Sequence, residues 1–165
     1  NISTVLQAVE VLRSAGFIIN EKHIRKGLRQ VRALTGLRGR WEVLGRRPLV
    51  ICDIGHNEEG IREVVKQMRS TPHHKLHIAL GLVADEEITG ILKLLPRKAA
   101  YYFCQADLPR AFDKALLAKA GGRYGLRGKV YPTVKKAFEA AKKAAGEQDL
   151  VFVGGSTFVV GEAIG

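Results

Sequence analysis

The sequence predicts an α/β domain, a mostly parallel sheet of about six strands with helices on both faces. Short apolar, largely β-branched runs such as Leu49-Val50-Ile51-Cys52 alternate along the chain with stretches whose apolar residues recur at helical spacing. Those runs are apolar throughout instead of alternating with polar residues, as strands buried on both faces are. With 165 residues, 46% of them hydrophobic, the chain can bury one sizeable core but not two full domains.

Each element follows from its own spacing. Ile2, Val5, Leu6, Val9 and Leu12 predict a helix that Gly16 ends. Residues 21–34 predict a second helix, with Lys22, Arg25, Lys26, Arg29 and Arg32 on one face and Ile24, Leu28 and Val31 on the other. Residues 41–44 read as a strand, followed by a turn from Gly45 to Pro48. The run 49–52 is the next strand and Asp53 ends it. Ile61, Val64, Val65 and Met68 then mark a helix that Asn57 can cap. Residues 77–82 are a third strand. Asp85 is expected to cap the following helix, with Glu86 and Glu87 in its first turn, Ile88, Ile91, Leu92 and Leu95 on its core face, and Pro96 beyond its end. Residues 100–104 form a fourth strand, 111–120 a helix closed by Gly121-Gly122, and 129–131 a short fifth strand. Thr133 caps a helix carrying Val134, Ala137, Phe138 and Ala141, and residues 150–153 are the last strand.

Composition excludes several classes of function. No apolar run approaches the ~20 residues of a membrane helix, so the chain is expected to be soluble. Cys52 and Cys104 both fall in apolar strand-like runs, which suits small core residues in a cytoplasmic protein and not a disulfide. The net charge of +11 raises nucleic acid as a partner. Residues 1–48 hold +7 of it, and five of their cations share the face of the helix over 21–34, which is first a solvated face and could also border an anionic ligand or a neighbouring domain. That segment lacks the interleaved aromatic residues that stacking on single strands needs. Gly122 to Lys129 imitates a phosphate loop, but five residues instead of four separate Gly122 from Gly128, and Val130 stands where Ser or Thr is required. It reads as a loop. His73, His74 and His77 have no Cys, Asp or Glu among them to complete a metal site, so no metal ligand is assigned.

The informative chemistry lies where strands hand over to helices, the edge at which α/β sheets bind ligands. Asp53-Ile54-Gly55-His56-Asn57 places an acid, an imidazole and an amide there. Thirteen residues before Asp53, Arg40 sits in Gly39-Arg40-Trp41-Glu42. Near the end, Gly154-Gly155-Ser156-Thr157 lets the backbone turn tightly after an apolar strand into a helix whose first amides are free. Such an end binds anions or is capped by Ser or Thr, and spacing leaves both open.

These three segments, in this order, resemble the C-terminal domain of folylpolyglutamate synthase/dihydrofolate synthase in the Mur ligase superfamily. The resemblance implies a Rossmann-like three-layer fold with a mixed sheet edge, spanning residues 36–165, after a helical segment, 1–35, at the junction with an absent ATPase domain. It also implies an enzyme that joins L-glutamate to folate or dihydropteroate with ATP and Mg²⁺ through an acyl phosphate, the phosphate loop and Mg²⁺ ligands lying in that other domain. Asn1 and Arg40 would contact the base and Asp53 the ribose, with His56 and Ser156 nearer the phosphates or the amino acid. The chain opens at Asn1 without Met, so it is expected to be a fragment, inactive alone. The Lys that precedes Gly-Ser in many cell-wall Mur ligases is replaced by Gly154, which favours the folate branch. A cell-wall amino-acid ligase domain, a basic nucleic-acid-binding module and a stand-alone interaction domain are the alternatives.

Overall fold

A computed structural model describes residues 2–84 and 87–165. Three helices come first: α1 (Ile2–Ser14), α2 (Glu21–Arg29) and α3 (Val31–Thr35). They lie in a compact unit that ends at Arg38, and a second unit, Gly39–Gly165, holds the sheet. The single helix expected over 21–34 is instead two, because the backbone leaves helical geometry at Gln30 (φ −116°, ψ 20°). No residue of α1, α2 or α3 is buried. With little burial to hold them, their continuity leans on local propensity, which Gly27 lowers by about 1 kcal/mol relative to Ala.

The second unit runs β1 (Glu42–Arg46), β2 (Leu49–Asp53), α4 (Glu58–Ser70), β3 (Leu76–Leu80), α5 (Ile88–Leu94), β4 (Ala100–Phe103), α6 (Lys114–Arg123), β5 (Arg127–Val130), α7 (Val134–Ala144), β6 (Leu150–Gly154) and α8 (Thr157–Ile164). The strands form one sheet in the order β1-β2-β6-β3-β4-β5. Every neighbouring pair is parallel except β1 with β2. The three-layer, mostly parallel sheet with a mixed edge is therefore the fold that the sequence predicts.

The pleat sends alternate residues of β6 into two core layers. Leu150 and Phe152 join Ile61, Met68, Ile91, Leu92 and Leu117 under α4, α5 and α6. Val151 and Val153 join Ala137, Phe138, Ala141, Val159 and Val160 under α7 and α8. Burying an aliphatic or aromatic side chain this completely stabilises by about 1.5–3 kcal/mol.

Several boundaries differ from the sequence reading. β1 starts at Glu42, because Trp41 has a positive φ of 44° and cannot continue a strand. β3 ends at Leu80, two residues early. Glu87 precedes α5 as its cap residue without a side-chain cap bond, and the expected cap Asp85 and its neighbour Glu86 lie outside the described residues. α6 begins at Lys114, not 111, since the Asp113 carboxylate accepts the N–H groups of Ala115 and Leu116. Gly121 and Gly122 stay inside that helix. A Cβ on Gly121 would sit 3.2 Å from the Phe103 ring, so the glycine makes room for packing and does not stop the helix. With β5 starting at Arg127, Gly122 to Lys129 is the end of a helix, a three-residue connection and a strand, and not one loop.

The histidines near Pro72 do not converge. His73 bonds the carbonyl of Thr71 through Nδ1 (2.7 Å), while His77 is buried in β3. There Nε2 faces Asp149 Oδ2 at 3.3 Å and Nδ1 faces the Tyr102 hydroxyl at 3.0 Å. The Asp149 carboxyl is held below the usual carboxylate range, chiefly by the Gly146 N–H and further by the Lys75 N–H and His77.

Candidate functional site

β2 and β6 are neighbours, and their register sets Asp53 beside Gly154 at the carboxyl edge of the sheet. Each strand hands over there to a helix, α4 and α8, on opposite faces. Two helix N-termini thus flank one edge, and each adds partial positive charge and unpaired amides. The first is capped by Asn57, whose Oδ1 accepts the Gly60 N–H at 2.8 Å. The second is capped by Ser156, 2% exposed, whose Oγ accepts the Val159 N–H at 3.1 Å. Of the two roles open for Ser156, the cap is therefore filled, and its hydroxyl proton can still be donated onward.

The turn between β6 and α8 is built by glycine. Gly155 has φ +99°, and a Cβ there would lie 2.5 Å from the carbonyl oxygen of Gly81. A Cβ on Gly154 would collide with the carbonyl of Asp53. The buried turn therefore packs against the ends of β2 and β3 more closely than any side chain would allow.

Asp53 is not the unpartnered acid that its apolar strand suggests. It is 7% exposed, with Oδ2 accepting the Trp41 N–H at 2.7 Å and Oδ1 the Gly55 N–H at 2.8 Å. The first bond reaches across twelve residues and ties the loop before β1 onto the end of β2. The same loop is held at Gly39, whose N–H donates to Glu42 Oε2 (2.8 Å) and whose carbonyl accepts the Ile54 N–H (2.9 Å). Gly39 has φ +73°, and a Cβ on it would stand 2.7 Å from Ile54 Cγ2. Two buried carboxylates thus fix the peptides on either side of Arg40, whose side chain is exposed. Trp41 packs its ring 6.4 Å from that of Phe152. His56 is exposed beside Asn57, with Nδ1 3.0 Å from the carbonyl of Ile54; because a carbonyl only accepts, Nδ1 carries the proton.

The structure brings Arg40, Asp53, His56 and Ser156 to one edge of one sheet. Asn1 lies outside the described residues. Sequence reasoning missed two participants. Glu42 is 3% exposed, and an acid opening an apolar strand was the available signal. Arg110, in the loop after β4, lays its guanidinium 5.0 Å over the ring of Phe158, in the first turn of α8. Nothing in its spacing points to that helix.

Residues 39–157 match the family described as Mur ligase, glutamate ligase domain. The chain belongs to that family. The Escherichia coli dihydrofolate synthase/folylpolyglutamate synthase is 31% identical over 97% of this chain and 36% of its own length. The structure of E. coli FolC in complex with DHPP and ADP superposes with a TM-score of 0.81 at 28% identity, covering 95% of this chain and 36% of that one. A bifunctional folylpolyglutamate synthase/dihydrofolate synthase solved with Mn, AMPPNP and L-glutamate bound gives 0.80 at 27%, covering 95% and 37%. This Mur ligase domain therefore spans about a third of the length of these three relatives. Its resemblance to the folate enzymes, read above from three short segments, extends over nearly the whole chain.

Among the described residues, no three of His, Cys, Asp and Glu converge as a metal site would require, and both Asp53 oxygens already accept backbone protons.

Proposed function

We propose that this chain is the C-terminal domain of a cytoplasmic ATP-dependent ligase that adds L-glutamate to folate or dihydropteroate, residues 36–165 forming the domain and 1–35 the segment at its junction with an ATPase domain. One observation carries the reading: a loop clamped by two buried carboxylates presents an exposed Arg40 beside two helix N-termini, on a fold shared with folate ligases solved with nucleotide. The guanidinium of Arg40 is planar and always charged, suited to stacking on or bonding adenine. Asp53 retains acceptor capacity beyond its two backbone bonds and can take a ribose hydroxyl. The N-termini of α4 and α8, with the Ser156 hydroxyl, offer donors to phosphate or carboxylate oxygens, and His56 stands beside the first of them. Glutamate brings two carboxylates, and Arg110 over Phe158 is a cation positioned at the mouth of α8 to meet one of them.

In the proposed reaction ATP phosphorylates the pterin substrate's carboxylate. The glutamate amine attacks the acyl carbon, loses a proton and expels phosphate. The phosphate loop and Mg²⁺ ligands of that chemistry belong to the ATPase domain. The 165-residue chain alone is therefore expected to bind nucleotide weakly and to ligate nothing. A longer polypeptide carrying both domains is expected to form the folate–glutamate amide with ATP, and not to join amino acids to cell-wall acceptors. Turnover by the 165-residue chain, or cell-wall specificity in the longer one, contradicts the proposal.

A further inference from the structure

Positive charge also gathers within the second unit. Residues 114–143 carry nine Lys or Arg and one acid, Glu139. On α7, Lys135, Lys136, Lys142 and Lys143 stand at helical repeats of seven and form two columns: Lys136 and Lys143 lie opposite buried Val134, Ala137 and Ala141, while Lys142 in the other column lays its ammonium 4.4 Å over the Phe138 ring. β5 is the outer strand and all four of its residues are exposed. Its register pairs Arg127 with Ala100 and Lys129 with Tyr102, and Tyr102 lies in the core layer under α7. Registered neighbours in a parallel pair point to the same face, so Arg127 and Lys129 share the face that α7 covers. Among the described residues none of these six cations is in an ion pair. Like charges gathered on one part of a surface repel one another, which an anionic ligand would relieve.

We propose that this rim binds oligo-γ-glutamate, the tail that repeated rounds of the proposed ligation build; the inference rests on that reading of the reaction. Each γ-linked residue leaves one α-carboxylate free, giving an oligoanion with a charge about every 6 Å. Same-side residues of a strand, as Arg127 and Lys129 are, recur at about 6.6 Å. β5 lies three strands from β6, where Ser156 stands, a lateral distance of about 14 Å. A single glutamate does not span that distance, and a tail of several does. Nucleic acid is the poorer fit, since stacking needs open rings and here Phe138 is buried and Tyr131 half-buried.

The test is fluorescence anisotropy of a labelled penta-γ-L-glutamate titrated with the 165-residue chain. Binding is expected to weaken at least tenfold between about 50 and 200 mM salt. Monoglutamate is expected not to compete. Replacing Lys135, Lys136, Lys142 and Lys143 by Gln together is expected to cost at least tenfold in affinity, and Glu139→Gln to tighten binding, because it removes the one negative charge on the face. Should the fourfold variant fail to fold, Glu139→Gln and the pair Arg127→Gln, Lys129→Gln carry the test. No binding at low salt, unchanged affinity in the rim variants, or equal competition by the α-linked pentapeptide or a short RNA overturns the proposal. Nucleotide binding, read separately on the unsubstituted chain, distinguishes the two readings. Nucleotide binding without tail binding overturns the rim alone, and tail binding without nucleotide binding overturns the proposed function.

Discussion

Asp53→Ala is the most revealing single change, because the structure gives that carboxylate a holding role before any ligand is considered. It accepts two backbone protons at 2.7 and 2.8 Å while 7% exposed, and one of them belongs to Trp41 in the loop that carries Arg40. A hydrogen bond to a charged acceptor contributes about 1.5–3 kcal/mol, so removing both costs about 3–6 kcal/mol. In a chain of this size each kcal/mol moves the melting temperature by roughly 2–4 °C, and Asp53→Ala is expected to lower it by roughly 6–24 °C. Asp53→Asn keeps one acceptor oxygen and turns an amide donor toward the other N–H, so it should fall about halfway. Circular dichroism melts of the 165-residue chain measure this, with amide NMR shifts of Trp41 and Gly55 as the local readout. His56→Ala, at an exposed position, is the control and should move the melt by no more than about 1 °C. A melt for Asp53→Ala within that same margin refutes the clamp. If the clamp holds, lost nucleotide affinity in the Ala variant is no proof of a ribose contact. The Asn variant, compared on ATP and its 2′-deoxy analogue, then isolates the sugar.

Gly155→Ala forces a Cβ to 2.5 Å from a backbone oxygen at φ +99°; it should cost more than about 2 kcal/mol, seen as a lower urea midpoint at an unchanged slope. Asp149 has a lowered folded-state pKa, so its contribution is present above the unfolded carboxylate value and is lost as pH falls through the folded one. The stability gap between wild type and Asp149→Asn should therefore hold near neutrality and shrink below about pH 4, and a gap independent of pH contradicts the assignment. Burial, aided by the Glu162 charge, pushes the Cys104 thiol up to about 12. A thiol reagent near pH 8 should label it only as the chain unfolds, and rapid labelling of the native protein is the contrary result.

Most strands were legible because buried parallel strands are written as short apolar runs, and Asn57 and Thr133 announced the starts of α4 and α7, whereas the order of the strands across the sheet was not. What escaped was set by contacts distant in sequence. Gly121 looks like a stop and is a packing residue, because the Phe103 ring from β4 lies against it. Trp41 looks like a strand residue, yet Asp53 draws its amide into a turn. Arg40, Asp53, His56 and Ser156 were legible as residues at strand ends. The buried Glu42 beneath the Arg40 loop, and Arg110 laid over Phe158, depend on pairings that no local spacing encodes.

The proposed function holds an adenine nucleotide where the Arg40 loop, the end of β2 and the Gly154-Gly155-Ser156 turn meet. A ¹H–¹⁵N NMR titration of the 165-residue chain with Mg-ADP tests it most directly, since it resolves position even when affinity is weak, with Kd on the order of 1 mM. The account predicts shift changes concentrated at residues 39–42, 53–60 and 154–160, with the Arg40 side chain among them. Shifts centred on any other part of the chain, or none as the nucleotide is raised to saturating levels, contradict it.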